Sequence, residues 1–159
     1  MVIIGIDPGT ATTGYGIIEN RNGKLRLIEY GCISTSKLKP LDERLSEIFT
    51  DLNKIIKKHK PQIIAVESLF FFKNLKTAIS VAHARGIVLL AARRNKLRLA
   101  EFTPLQVKSS LTGYGKADKK QVQYMVKALL KLKTIPKPDD AADAVAIAIC
   151  ACNFKENML

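Results

Sequence analysis

The stretch "MVIIGIDPGTATTGYGIIEN", residues 1–20, holds four glycines, places Asp7 at the end of an apolar run and contains neither Lys nor Arg. The whole chain carries a formal net charge of +12, so a segment this long without a basic residue stands out. "MVIIGID" reads as a continuous apolar strand of the kind found inside a sheet. "PGT" breaks it. "TGYGIIEN" (13–20) and "LRLIEYGCIST" (25–35) follow as further strands, joined by the turn "NRNGK" in a hairpin-like meander. The first three strands are therefore expected as antiparallel neighbours.

Helical spacing takes over after residue 40. In "LDERLSEIFTDLNKIIKKHK" apolar residues stand at 41, 45, 48, 49, 52, 55 and 56, one stripe for the sheet with a Lys-rich end toward solvent. Pro61 stops this helix, and "QIIAVE" makes a short buried strand ending at Glu67. "TAISVAHARGIVLLAARR" is apolar around most of its circumference, which predicts a helix buried on two sides. "KLRLAEF" reads as another strand. "TPLQVKSSL" and "ADKKQVQYMVKALLK" each open with a capping box, Thr103 with Gln106 and Asp118 with Gln121, and Pro104 suits the first turn. After the "PKP" stop at 136–138, "DDAADAVAIAICACN" is the last helix. The order β-β-β-α-β-α-β-α-α-α, without repeat or linker, predicts one α/β domain over residues 1–159 with a mixed sheet.

A chain of 159 residues with 47% hydrophobic and 25% charged residues can build a globular core. Its 26 Lys+Arg against 14 Asp+Glu suit a polyanionic partner, since each cation that meets a phosphate displaces condensed counter-ions, although a solubilising Lys-rich surface has the same composition. Cys32, Cys150 and Cys152 lack metal-ligand spacing and read as reduced thiols of a cytoplasmic protein. No secretory signal or transmembrane run is expected, and no membrane partner.

Asp7 and Glu67 both end apolar strands. If those strands are parallel neighbours, the two side chains emerge at the same sheet edge, the usual ligand crevice of an open α/β sheet. Asp140 and Asp143, three apart at a helix start, share one face. Singly, Asp7 could be a turn former, Glu67 an edge charge and the Asp pair a cap that favours the helix dipole. Together, four carboxylates from three chain segments would repel one another unless hard cations neutralise them, and Mg²⁺ accepts such sparse, water-completed oxygen coordination. A two-metal phosphodiesterase in a basic protein follows.

In this order, "GIDPGTATTGYG", "VESLFFFKN", "HARG", "GYGKADKKQVQYMV" and "DDAADAVAIAIC" resemble the RuvC family of Holliday-junction resolvases over essentially the whole chain. The resemblance implies an RNase H-like fold, a five-stranded mixed β-sheet flanked by α-helices, acting as a homodimer on four-way junction DNA with a branch-migration complex as a further partner. It puts the catalytic, metal-binding carboxylates on Asp7, Glu67, Asp140 and Asp143, for two Mg²⁺ per active site with Mn²⁺ able to substitute. Asp7 would bridge the two metals, and hydrolysis would leave a 5′-phosphate and a 3′-hydroxyl. Asp139 is an added acid beside the usual pair; spacing to "AAD" favours Asp140 as ligand.

Phe70 lies at the family position that wedges against bases at the junction centre, although an adjacent Phe of "LFFF" (69–72) could equally be core. Lys108, Lys116, Lys119 and Lys120 gather around "GYGKADKK", where Gly113 and Gly115 would admit a close phosphate and the helix start offers N–H donors; a solvated loop is the plain alternative. The resemblance marks Lys108 and Lys119 for the scissile phosphate and its strand. Arg85 could hold a phosphate or pair with a carboxylate, and His83 is expected to pack rather than catalyse. The glycines of residues 1–20 are expected to let the backbone turn tightly beside the metals. "GIDPGTATTG" also resembles a phosphate loop of actin-like ATP-handling domains, but 159 residues leave no room for the second domain that class needs.

Overall fold

Alternation along the first strand decides what faces what. In β1 (Val2–Asp7), Ile3 packs with one buried cluster, while Ile4 and Ile6 pack with another on the opposite side. The computed structural model describes residues 1–68 and 75–154. β1 is followed by β2 (Thr12–Arg21), β3 (Lys24–Ser34), α1 (Leu41–His59), β4 (Ile63–Glu67), α2 (Leu75–Arg94), β5 (Arg98–Phe102), α3 (Pro104–Thr112), α4 (Lys119–Leu129) and α5 (Asp139–Asn153). The five strands form one sheet in the order β3-β2-β1-β4-β5; β1 to β3 pair antiparallel, and β4 is parallel to both β1 and β5. The expected order of elements and the mixed sheet are both present.

Local chemistry sets the boundaries. Asn22 and Gly23 take positive φ, 53° and 82°, the backbone a two-residue hairpin between right-twisted strands requires. Lys60, with φ 47°, caps α1 by donating its N–H to the Ile56 carbonyl, immediately before Pro61. Both capping boxes form: the Thr103 and Asp118 side chains accept from the backbone N–H of Gln106 and Gln121, whose side chains reach back.

One face of the sheet carries α1 and α2, with Ile48, Leu52, Ile56, Val88, Ala91 and Ala92 against Ile4, Ile6, Ile17, Ile64 and Val66. The other carries α5, buried at every residue from Ala144 to Ala151, with α3 and α4 in the same cluster. Here the glycines of the opening stretch do their work, and it differs from the expected one. Gly5, Gly14 and Gly16 lie inside strands, directly beneath α5. A Cβ at Gly5 would stand 2.2 Å from the Ala144 carbonyl oxygen, one at Gly14 2.0 Å from that of Asp140, and one at Gly16 2.6 Å from Val145 Cγ2. Only Gly9 serves a tight turn, where a Cβ would come within 2.4 Å of the Thr12 carbonyl oxygen. The absent side chains let the helix settle onto the backbone of β1 and β2.

Within one chain α2 is buried on one of its two apolar sides. Ala84, Val88, Ala91 and Ala92 are buried, but Ile79 and Leu90 remain 56% and 47% exposed, with His83 and Gly86 exposed between them. His83 is therefore a surface residue in this chain rather than a packed one. No helix among the described residues is long and apolar enough to cross a membrane.

Candidate active site

Period-two alternation puts Asp7 on the α5 face with Ile3 and Gly5, and Glu67 on the same face with Ile63 and Ala65. Because Ile6 lies opposite Val66 in the parallel pair β1–β4, Asp7 and Glu67 end adjacent strands one residue further on. Asp7 also pairs in register with Gly14, on which the first turn of α5 rests. The same close approach that seats α5 thus brings Asp140 and Asp143 to this sheet edge. The loop after Asp7 is pinned by threonines: Thr13 Oγ1 donates to the Gly9 carbonyl (2.7 Å), and Thr35 Oγ1 to that of Thr10 (2.5 Å). Sequence reading missed this positioning role, since Thr in a loop carries no pattern of its own.

A cleft of about 280 Å³ opens at this edge, lined by Asp7, Glu67 and Asp143 with Lys108 and Lys119. Asp140 lies outside that lining, yet its charge is felt at Asp7. Burial, then the charges of Asp143, Glu67 and Asp140, push the Asp7 carboxyl up to about 7. Burial and Asp143 likewise raise Glu67, with Lys108 opposing. Burial raises Asp143 despite its bond to Lys119. Asp139 turns outward instead: its side chain is 66% exposed, meets Lys119 Nζ at 3.1 Å and accepts from Gln123 Nε2 at 3.2 Å. Lys119 Nζ also donates to Asp143 at 3.0 Å. Burial works against the Lys119 ammonium, but these two carboxylates hold its pKa above the usual value.

Among the described residues no three His, Cys, Asp or Glu side chains form a ready-made metal cage. The donor set nevertheless fits hard divalent cations. It offers carboxylate oxygens from β1, β4 and α5, and their mutual repulsion, visible in the raised Asp7, is what a cation would relieve. A stability prediction follows. A carboxyl whose folded pKa lies above its unfolded value is penalised as pH rises from about 4, and the penalty is complete above about 7. In chelator, Asp7→Asn should therefore melt above the parent by roughly 5–10 °C at pH 8, and the gap should shrink to about half or less at pH 5 and nearly close near pH 4. A gap that does not change with pH would contradict this electrostatic account.

The other expected site residues are divided. Lys108 and Lys119 line the cleft. Lys120 lines a separate groove of about 640 Å³ with Tyr114 and Tyr124, and Lys116 is exposed on the connecting loop. Arg85 is paired with Glu101, the carboxylate alternative of its two readings. Gly113, with φ 73°, is the cap of α3, and Gly115 packs on Leu105. Phe70 lies outside the described residues.

A mixed sheet in this order, with carboxylates at the ends of β1 and β4 and at the start of α5, is an RNase H-like α/β domain. The family model described as "Crossover junction endodeoxyribonuclease RuvC" matches residues 3–151. A protein of that description from Desulforamulus reducens is 56% identical over 150 residues, covering 94% of this chain and 92% of that protein. The Thermus thermophilus RuvC structure superposes with a TM-score of 0.89 at 36% identity, covering 96% of this chain and 94% of its own. T. thermophilus RuvC in complex with Holliday junction substrate gives 0.87 at 33% identity, with the same coverage. The chain belongs to the RuvC family.

Proposed function

We propose that this chain is a Holliday-junction resolvase, a Mg²⁺-dependent endodeoxyribonuclease that nicks four-way DNA junctions in symmetric pairs during recombination and repair. The observation that carries the proposal is the convergence of Asp7, Glu67, Asp140 and Asp143 from three chain segments at one sheet edge, with Lys108 and Lys119 in the same cleft. The likeness to a relative solved with a Holliday junction supports the choice of substrate.

The four carboxylates would hold the cations, and bound there these would supply a water activated at neutral pH and a sink for charge developing on phosphorus. The chain's own side chains do the rest. Lys108 and Lys119 balance the acids and meet the scissile phosphate, which a purely acidic cleft would repel. Val107, Val122, Ala146 and Ile147 wall the cleft, and an apolar wall strengthens each charge interaction inside it. Water attacks phosphorus in line, the bond to the 3′-oxygen breaks, and the products are a 5′-phosphate and a 3′-hydroxyl. Phe70 is assigned to stacking on bases at the junction centre.

Symmetric nicking needs two sites related by a dyad, and the open stripe of α2 at Ile79, His83, Gly86 and Leu90 offers a surface for a second copy. Free cysteines fit a reducing cytoplasm. The family resemblance supports a branch-migration complex as a further partner. The test is nicking of a synthetic four-way junction beside a linear duplex of the same sequence, in Mg²⁺ and in chelator.

A further inference from the structure

Lys119 stands in an unusual place for a residue that is to meet DNA. Its ammonium is 3.0 Å from Asp143 and 3.1 Å from Asp139, so two of its three donors are engaged by carboxylates of the first turns of α5. The contact is long-range in sequence, between the first residue of α4 and the start of α5, and both ends are stiff. Lys119 begins a helix whose Asp118 cap is satisfied in both directions, and Asp143 sits on the most deeply buried helix of the fold. The bond is open to solvent, with the Lys119 side chain 50% and that of Asp143 36% exposed, but both residues stand on fixed helical positions. Lys108, the other cation lining the cleft, acts on Glu67 through space. One lysine is therefore bonded to an acid of the cleft wall while the other only faces it.

Resting on the metal-centre reading above, we propose that Lys119 is the internal counter-ion of the unloaded centre, occupying the Asp143 carboxylate until a divalent cation displaces it and frees the ammonium for DNA phosphate. Asp143 cannot give the same oxygen fully to an ammonium and to a hard cation, because both seek its lone pairs and repel each other. The other Asp143 oxygen stays open to a cation, but the ammonium on Oδ2 repels the incoming charge, so cation binding favours opening of the Lys119–Asp143 bond and is weakened by it. The released ammonium stays tethered on the outer side by Asp139, which has no place in the cleft wall. This gives the added acid of the "DD" pair a role distinct from metal ligation. It also couples the two halves of the site: a loaded centre presents a phosphate-binding lysine, and an empty one withdraws it.

The test is DNA-free calorimetry of Mg²⁺ binding to four proteins: the parent, Lys119→Met, Lys108→Met and Asp7→Asn. Removing any nearby positive charge raises cation affinity somewhat, and Lys108→Met measures that general effect. Lys119→Met should bind Mg²⁺ about tenfold more tightly than the parent, and Lys108→Met at most about threefold. Equal gains in the two lysine variants, or no gain in Lys119→Met, overturn the proposal while leaving the metal centre intact. Absence of any Mg²⁺ binding that Asp7→Asn removes would instead overturn the metal-centre reading itself. Nitrogen NMR of the lysine ammonium groups reads the same event in the parent protein. The Lys119 signal should shift, and its exchange with water quicken, as Mg²⁺ saturates; a signal unmoved at saturation overturns the exchange.

Discussion

Asp7→Asn is expected to abolish Mg²⁺-dependent junction nicking, with a fall of about 10³-fold or more, while junction affinity is kept or improved. Asp7 lies where burial and three neighbouring acids concentrate negative charge, so its loss removes most of what would hold a cation at the cleft. The amide is nearly isosteric and carries no charge, so the fold has no reason to suffer, and repulsion toward phosphate falls. Single-turnover cleavage and a mobility-shift titration on the same junction separate the two effects. An Asp7→Asn protein that nicks at the parent rate contradicts the assignment of the centre.

The second large effect is expected at a position without side-chain chemistry. Gly14→Ala would place a methyl group 2.0 Å from the Asp140 carbonyl oxygen and 2.4 Å from its carbonyl carbon, both backbone atoms of the first turn of α5. Neither β2, held between two strands, nor the buried helix has slack to absorb it. Overpacking of this kind typically costs about 1–3 kcal/mol, or a fall in Tm of roughly 3–10 °C. The catalytic loss should exceed the stability loss. A displacement of about 1 Å in the acids carried by that turn can cost about 10²-fold in rate. Thermal melting and nicking rates check both. Parent-like values for each would show that α5 is not seated as described.

The glycines show where sequence legibility ends. Their density in residues 1–20 was plain, but glycine in a strand and glycine in a turn look alike without knowing which helix lies above. The contact of Gly14 with Asp140 joins positions far apart in sequence. Helices with strong local signals were legible: residues 41–59 by their apolar period, and α3 and α4 by capping boxes that form as read. α2 and α5 illustrate the limit. Both are apolar around most of their axes, yet α5 is buried nearly all round while α2 keeps Ile79 and Leu90 in the open. Periodicity reports that a face wants cover and is silent on whether this chain or another supplies it. Motif spacing favoured Asp140 over Asp139 but carried no physical reason for it, since positions three and four before Asp143 share its helix face. The charge of Asp140 acts on Asp7, whereas the Asp139 side chain is 66% exposed and meets Lys119 and Gln123 on a different helix.

The measurement that bears most directly on the central claim is strand-specific nicking of an end-labelled four-way junction, run beside a linear duplex of the same sequence in Mg²⁺ and in chelator. The account predicts two symmetry-related nicks in strands of like polarity, each with a 5′-phosphate that ligase can seal, no comparable cutting of the duplex, and none of either substrate in chelator. Equal cutting of junction and duplex, or junction cutting that persists in chelator, would contradict it.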